Sequence, residues 1–188
     1  WDPDRKTKNV WLSVADLPRS FNATAMNSKE YVSDLAANRM RLIPEGTLMV
    51  SFKLTLGRLA YAGCDLFSNE AIASLLDIDG EAVSKEFLYW ALTDFDWDKA
   101  AEGSQKVKGK TLNKAKLKTI PIPLPPLDEQ KRIVEILDEA FEGLDRAQAN
   151  VEANLASARE LFESHLAELF TNPDPSWRRD KLGNYCEK

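Results

Sequence analysis

Lysine is the residue whose spacing most suggests chemistry in this sequence. Residues 103–127 hold six lysines and no acidic side chain. Lys106, Lys108 and Lys110 alternate, as do Lys114, Lys116 and Lys118, so an extended segment would point each set to one side. Gly103 and Gly109 would let a polyanion approach the backbone closely, and Gln105, Thr111 and Asn113 add neutral hydrogen-bonding groups. Lysine neutralises phosphates, while Asn and Gln can read adenine edges. The stretch therefore fits DNA contact. A solvated, lysine-rich surface loop is the plainer alternative, and the residues alone leave both open.

Other constellations carry less. Gly103 to Gly109-Lys110-Thr111 approaches a phosphate-binding loop but has five residues between the glycines where that pattern has four. Asp94-Phe95-Asp96-Trp97-Asp98-Lys99 before it is no buried strand. His165 is the single histidine and falls on a helical row, where a structural role is expected. No His/Cys/carboxylate cluster has metal-ligand spacing, and no nucleophilic triad can be assembled without His165. Neither a catalytic residue nor a metal or cofactor is expected.

Charge is sharply partitioned along the chain. The net charge of −5 divides into −5 over residues 1–102, +6 over 103–127, −7 over 128–170 and +1 over 171–188. Screening limits a field to roughly 8–10 Å in physiological salt, so the basic stretch can meet a polyanion without sensing distant acids. Cys64 and Cys186 are far apart, which suggests a reducing, cytoplasmic setting rather than a disulfide framework. No apolar run approaches a membrane span, and the opening residues do not resemble a signal peptide. Without an initial Met, the sequence reads as an excised or truncated piece.

The elements that position these residues can be read from pattern. Val10, Leu12 and Val14 alternate as a half-buried strand over 9–17, and 29–41 suits a short helix or an irregular link. Pro44-Glu45-Gly46 is a turn leading into an apolar strand, and a second strand follows a turn near Gly57. Residues 70–76 fit strand or helix. Ser84 is an expected N-cap for a helix with a Phe87, Leu88, Ala91 and Leu92 stripe. These make the first part an α+β domain over residues 1–126, and the lysine stretch begins as a loop. Pro121, Pro123, Pro125 and Pro126 form an extended connector that no central strand could hold.

From Asp128 to Phe170 there is no Pro and a single Gly. Ile133, Leu137, Ala140, Leu144, Ala147 and Val151 recur in steps of four and three, flanked by Phe141, Leu155 and Phe162. We expect a long helix over 127–171, with 172–188 a separate tail. At 1.5 Å per residue the stretch from Asp128 to Phe170 makes a rod of about 64 Å, longer than one domain can cover. The apolar row therefore needs a second helix, with Ile133, Leu137, Leu144, Val151, Leu155 and Phe162 as its pairing residues. That helix must come from another copy or another chain.

Several segments in order resemble the DNA-specificity subunit of type I restriction–modification systems. Ile122-Pro123-Leu124-Pro125-Pro126-Leu127-Asp128-Glu129-Gln130-Lys131-Arg132-Ile133-Val134 is similar to that family's junction between a target-recognition domain and a long helix. Ile43 to Ser51 with Thr55-Leu56-Gly57, Asn69 to Ile72, Phe87-Leu88-Tyr89 and Leu117 to Pro121 follow in the family's order, over roughly residues 9–170. The family's usual Trp-x-x-x-x-Leu-Gly opening is absent before Trp1, and a stretch of that kind, Trp177 to Leu182-Gly183, follows the helix. Residues 172–188 thus resemble the start of a next recognition domain or a complementing tail.

The resemblance implies a mixed α/β recognition domain followed by a helix that pairs antiparallel with a second. It implies a non-catalytic reader of double-stranded DNA with a split target. Implied partners are methyltransferase subunits, the restriction subunit, and a second specificity half or a homodimer. The DNA-contacting candidates are Lys53, Arg58, Gln105, Lys106, Lys108, Lys110, Asn113, Lys114 and Lys116, with Lys53 and Arg58, near the Gly57 turn, as supporting contacts. The rival reading is a protein-interaction adaptor on a coiled coil with no DNA role, which the acidic helix favours.

Overall fold

The computed structural model describes residues 1–102, 105–106 and 109–186. In chain order the elements are β1 (Val10–Leu12), β2 (Thr24–Ala25), β3 (Glu30–Tyr31), α1 (Asp34–Ala37), β4 (Leu48–Ser51), β5 (Lys53–Leu54), β6 (Leu59–Ala62), β7 (Phe67–Ser68) and β8 (Ile72–Leu75). There follow α2 (Lys85–Asp94), α3 (Trp97–Ala100), β9 (Gln105–Lys106), β10 (Gly109–Thr111), α4 (Lys114–Lys118) and α5 (Leu127–Thr171). The described strands form three small sheets, ordered β3-β1-β7, β5-β10-β9 and β2-β6-β4-β8.

β4 shows why this order arises. All four of its residues are buried, because it lies between β6 and β8, antiparallel to both. The expected turn ahead of it is present, with Gly46 at φ +75°, a conformation that suits glycine. Around Met49 the core gathers Leu12, Leu17, Ile43, Ala60, Leu66 and Ile72. Residues 70–76 resolve as strand, since β8 has the edge of β4 to pair with.

Two local expectations are corrected. The alternating run at 9–17 is strand only through Leu12. Ser13 then starts a 3-10 turn (Val14–Asp16), its N–H and hydroxyl both donating to the Asp16 carboxylate at 2.8 and 2.6 Å. In α2, the Ser84 cap is present and accepts from the Phe87 N–H at 3.0 Å, but the buried side chains are Phe87, Tyr89, Trp90 and Leu92. Leu88 and Ala91 are half-buried. The buried arc is shifted because Tyr89 stacks on Tyr61 of β6 while the Trp90 indole donates to Asp138 of α5.

The Pro-rich segment has no regular structure, and α5 begins directly after it. The chain forms two compact units, Trp1–Asp138 and Glu139–Lys188. The first three turns of α5 therefore belong with the head. Among the described residues no helix is long and apolar enough to cross a membrane.

Candidate nucleic-acid interface

The lysine-bearing strands rest on a loop organised by one buried serine. Ser51 is fully buried at the end of β4; its hydroxyl donates to the Thr55 carbonyl at 2.6 Å and accepts from the Arg58 N–H at 2.9 Å. Its carbonyl accepts from the Gly57 N–H at 2.9 Å. Gly57 has φ +73°, and a Cβ there would stand 2.4 Å from the Trp97 ring. Trp97 is itself held by its indole N–H, which donates to the Leu92 carbonyl. Glycine at 57 thus answers both a backbone and a packing demand.

This loop presents β5, which pairs with β10 in the register Lys53↔Thr111 and Leu54↔Lys110. β10 in turn pairs with β9, Lys110↔Gln105 and Gly109↔Lys106. One three-stranded sheet therefore unites four of the candidate positions, Lys53, Gln105, Lys106 and Lys110. It is anchored below by Phe52 and Leu112, both buried and joined by a Leu112 N–H to Phe52 carbonyl bond of 2.9 Å. Lys108 lies outside the described residues, as do the side chains of Gln105, Lys106 and Lys110.

The lysines do not alternate along one extended strand. β9 and β10 pair antiparallel, so Lys106 and Lys110 lie on two neighbouring strands rather than along one extended segment. Lys114, Lys116 and Lys118 form the short helix α4. On a helix Lys114 and Lys118, four apart, share a face and Lys116 does not. Asn113 caps α4, its Oδ1 accepting from the Lys116 N–H at 2.7 Å. Asn113, Lys114 and Lys116 are all exposed. This cap starts α4 just after β10, since the Asn side chain satisfies one of the free N–H groups of the first helical turn.

Lys53 and Arg58 have partners within the head. The Lys53 ammonium lies over the Phe52 ring at 5.7 Å and 4.0 Å from Glu70. Arg58 donates from its guanidinium to the Val14 carbonyl at 3.1 Å. Beside Gly57, Arg58 and Arg19 line a cavity of about 320 Å³ with Phe21, Tyr89 and Thr93. Burial pushes the Tyr89 phenol up, and burial with Glu86, Tyr89 and Asp138 nearby pushes that of Tyr61 up, so this stacked pair stays neutral.

The start of α5 is fixed by polar groups. Gln130 is fully buried; its Oε1 accepts from the Ser84 N–H at 2.9 Å, and its Nε2 donates to the carbonyls of Ala82 at 3.0 Å and Pro125 at 2.8 Å. Two turns on, Asp138 Oδ1 accepts from Asn22 Nδ2 at 2.9 Å and from the Trp90 indole at 3.2 Å. Of the pairing residues expected on α5, Ile133 and Leu137 are half-buried. Leu144, Val151, Leu155 and Phe162 are each more than half exposed, and Phe170 meets Trp177 edge-on at 6.3 Å. Among the described residues, no group of three His, Cys, Asp or Glu side chains could hold a metal ion.

A family model for the type I restriction modification DNA specificity domain matches residues 6–153. The chain belongs to that family. Within the DNA specificity family it is similar to the EcoDI specificity subunit of Escherichia coli, 25% identical over 179 residues, covering 89% of this chain and 40% of that protein. It is also similar to the MjaIX specificity subunit of Methanocaldococcus jannaschii, 26% identical over 170 residues, 86% of this chain and 36% of the relative. The chain thus spans about two fifths of the length of these relatives. Its fold matches the HsdS subunit from Thermoanaerobacter tengcongensis with a TM-score of 0.57 at 23% identity, over 86% of this chain and 37% of that one. A chain from a study of complex assembly and conformational transition of the type I R-M system gives 0.60 at 22%, over 88% and 39%. The mixed α/β head and the long helix expected from sequence are the fold of this DNA specificity family.

Proposed function

We propose that the chain is a non-catalytic reader of double-stranded DNA that directs methyltransferase and restriction subunits to a split target. The observation that carries this is the family match over residues 6–153, which includes every described strand of the head and more than half of α5. In this reading the β5-β10-β9 sheet and α4 meet the duplex. Lys106, Lys108, Lys110, Lys114 and Lys116 neutralise phosphates and set register, with Gln105 and Asn113 as neutral partners and Lys53 and Arg58 holding the loop beneath. Specificity comes from base-edge contacts, each good bidentate one contributing about 1–3 kcal/mol of discrimination. The exposed row of Leu144, Val151, Leu155 and Phe162 pairs antiparallel with a helix from a second specificity half or a second copy. That pairing fixes the separation of the two half-sites.

The lysine contribution is measurable by duplex binding across a salt series, with the methyltransferase partner present. Replacing Lys106, Lys108 and Lys110 together by Ala is expected to weaken binding and flatten the log–log salt slope by about 0.9 per lost phosphate contact. An unchanged affinity and slope would remove the hairpin from the interface. An adaptor with no DNA role would retain no duplex at any salt.

A further inference from the structure

Leu54 combines two costs that do nothing for the fold. It has φ +68°, in the left-handed region where a bulky aliphatic residue is an outlier, and its side chain is 57% exposed. The other described non-glycine residues with positive φ are Arg5, Asn22 and Asp77. Asn and Asp tolerate that conformation, and Arg5 donates to the Lys29 carbonyl at 3.3 Å. At position 54 the strain is imposed by the Ser51 clamp, which fixes Thr55, Gly57 and Arg58 immediately afterwards. A glycine or asparagine would meet the same backbone demand with less strain and would expose no apolar surface. Strain of this kind, about 1–3 kcal/mol, persists where surrounding structure over-determines it, and it concentrates at functional sites.

The position says what the exposed leucine could meet. Leu54 is the last residue of β5, follows Lys53, and stands opposite Lys110 in the sheet whose three strands include the lysine hairpin. Three strands about 4.8 Å apart span about 10 Å between outer backbones. That is too broad for a minor groove of about 6 Å and compatible with a major groove of about 12 Å. The apolar group presented on the major-groove floor is the thymine C5-methyl, a partner for aliphatic side chains.

We propose that Leu54 is a specificity-determining residue that contacts the methyl group of one thymine in the recognised half-site. This rests on the DNA-reading function proposed above. The flanking lysines set register on the phosphates, and the strained leucine supplies an apolar contact that cytosine and uracil cannot match.

The test uses the full chain with its methyltransferase partner and a duplex selected from a randomised pool. Each thymine of that duplex is replaced in turn by uracil, which removes only the methyl group. Wild type is expected to lose about three- to five-fold in affinity at one position, the worth of one buried methyl group. Leu54→Asn, and Leu54→Gly should Asn fail to fold, is expected to match or exceed wild type in thermal midpoint. Neither variant should respond to uracil at that position. A selected site at which uracil affects wild type and variant alike everywhere would overturn the role of Leu54 and leave the DNA-reading function standing. Failure of wild type to select any sequence would overturn both.

Discussion

Leucine in place of Gln130 is expected to destabilise the chain by about 3–5 kcal/mol, read from urea or thermal unfolding. The side chain is fully buried and makes three hydrogen bonds of 2.8–3.0 Å, to Ser84, Ala82 and Pro125. Leucine fills nearly the same volume but leaves one N–H and two carbonyls without these partners. Each orphaned buried group costs about 1–3 kcal/mol, against a total stability of about 5–15 kcal/mol for a domain. The damage reaches α2, because Ser84 is its N-cap and the Gln130 amide holds the backbone just before it. A glutamate would retain the acceptor toward Ser84 but lose the donor toward two carbonyls, so Gln130→Glu should be no milder. A loss below about 1 kcal/mol for Gln130→Leu would mean that the joint between head and helix is held by apolar packing alone.

Placing a charge in the exposed row of α5 should abolish association. Leu144, Val151, Leu155 and Phe162 are 52–65% exposed. Burying the exposed part of four such side chains against a second helix yields about 4–7 kcal/mol gross, scaled from about 1.5–3 kcal/mol for a fully exposed one, before the cost of association. Leu144→Asp leaves a carboxylate without a partner inside that seam, and Leu144→Asp with Phe162→Asp doubles the penalty. We expect the double variant to sediment with one specificity half fewer than wild type, while its head keeps the same unfolding midpoint. An unchanged mass for a folded variant would place the pairing surface elsewhere.

The parts of the fold that could be read from residues are those where local chemistry and tertiary packing agree. The β4 run, the turn at Gly46, the Ser84 cap and the start of α5 all have strong local signals that packing reinforces. The stripe of α2 was misread because burial there is decided by two neighbours at once, β6 and α5, and aromatic side chains at 89 and 90 serve both. The lysine stretch was misread for a different reason. Alternation at period two does not separate one strand from a hairpin, and nothing in the sequence around Asn113 marks it as the cap of α4. Gln130 passed unnoticed as a buried anchor, since a glutamine in an acidic and basic run reads as solvated surface. Leu54 gives no signal of its own, because its backbone conformation is set by the hydrogen bonds of Ser51 to Thr55, Gly57 and Arg58, which no residue type at 54 announces.

The claim at the centre of this account is that a single head reads bases while its helix ties it to a second reader at a set distance. Selection of bound duplexes from a fully randomised pool, by the chain together with its methyltransferase partner, measures both parts at once. The account predicts two short specific tracts separated by a spacer of fixed length and no preferred sequence. Bound duplexes with no common tract, or with one tract and no fixed spacing to a second, would contradict it.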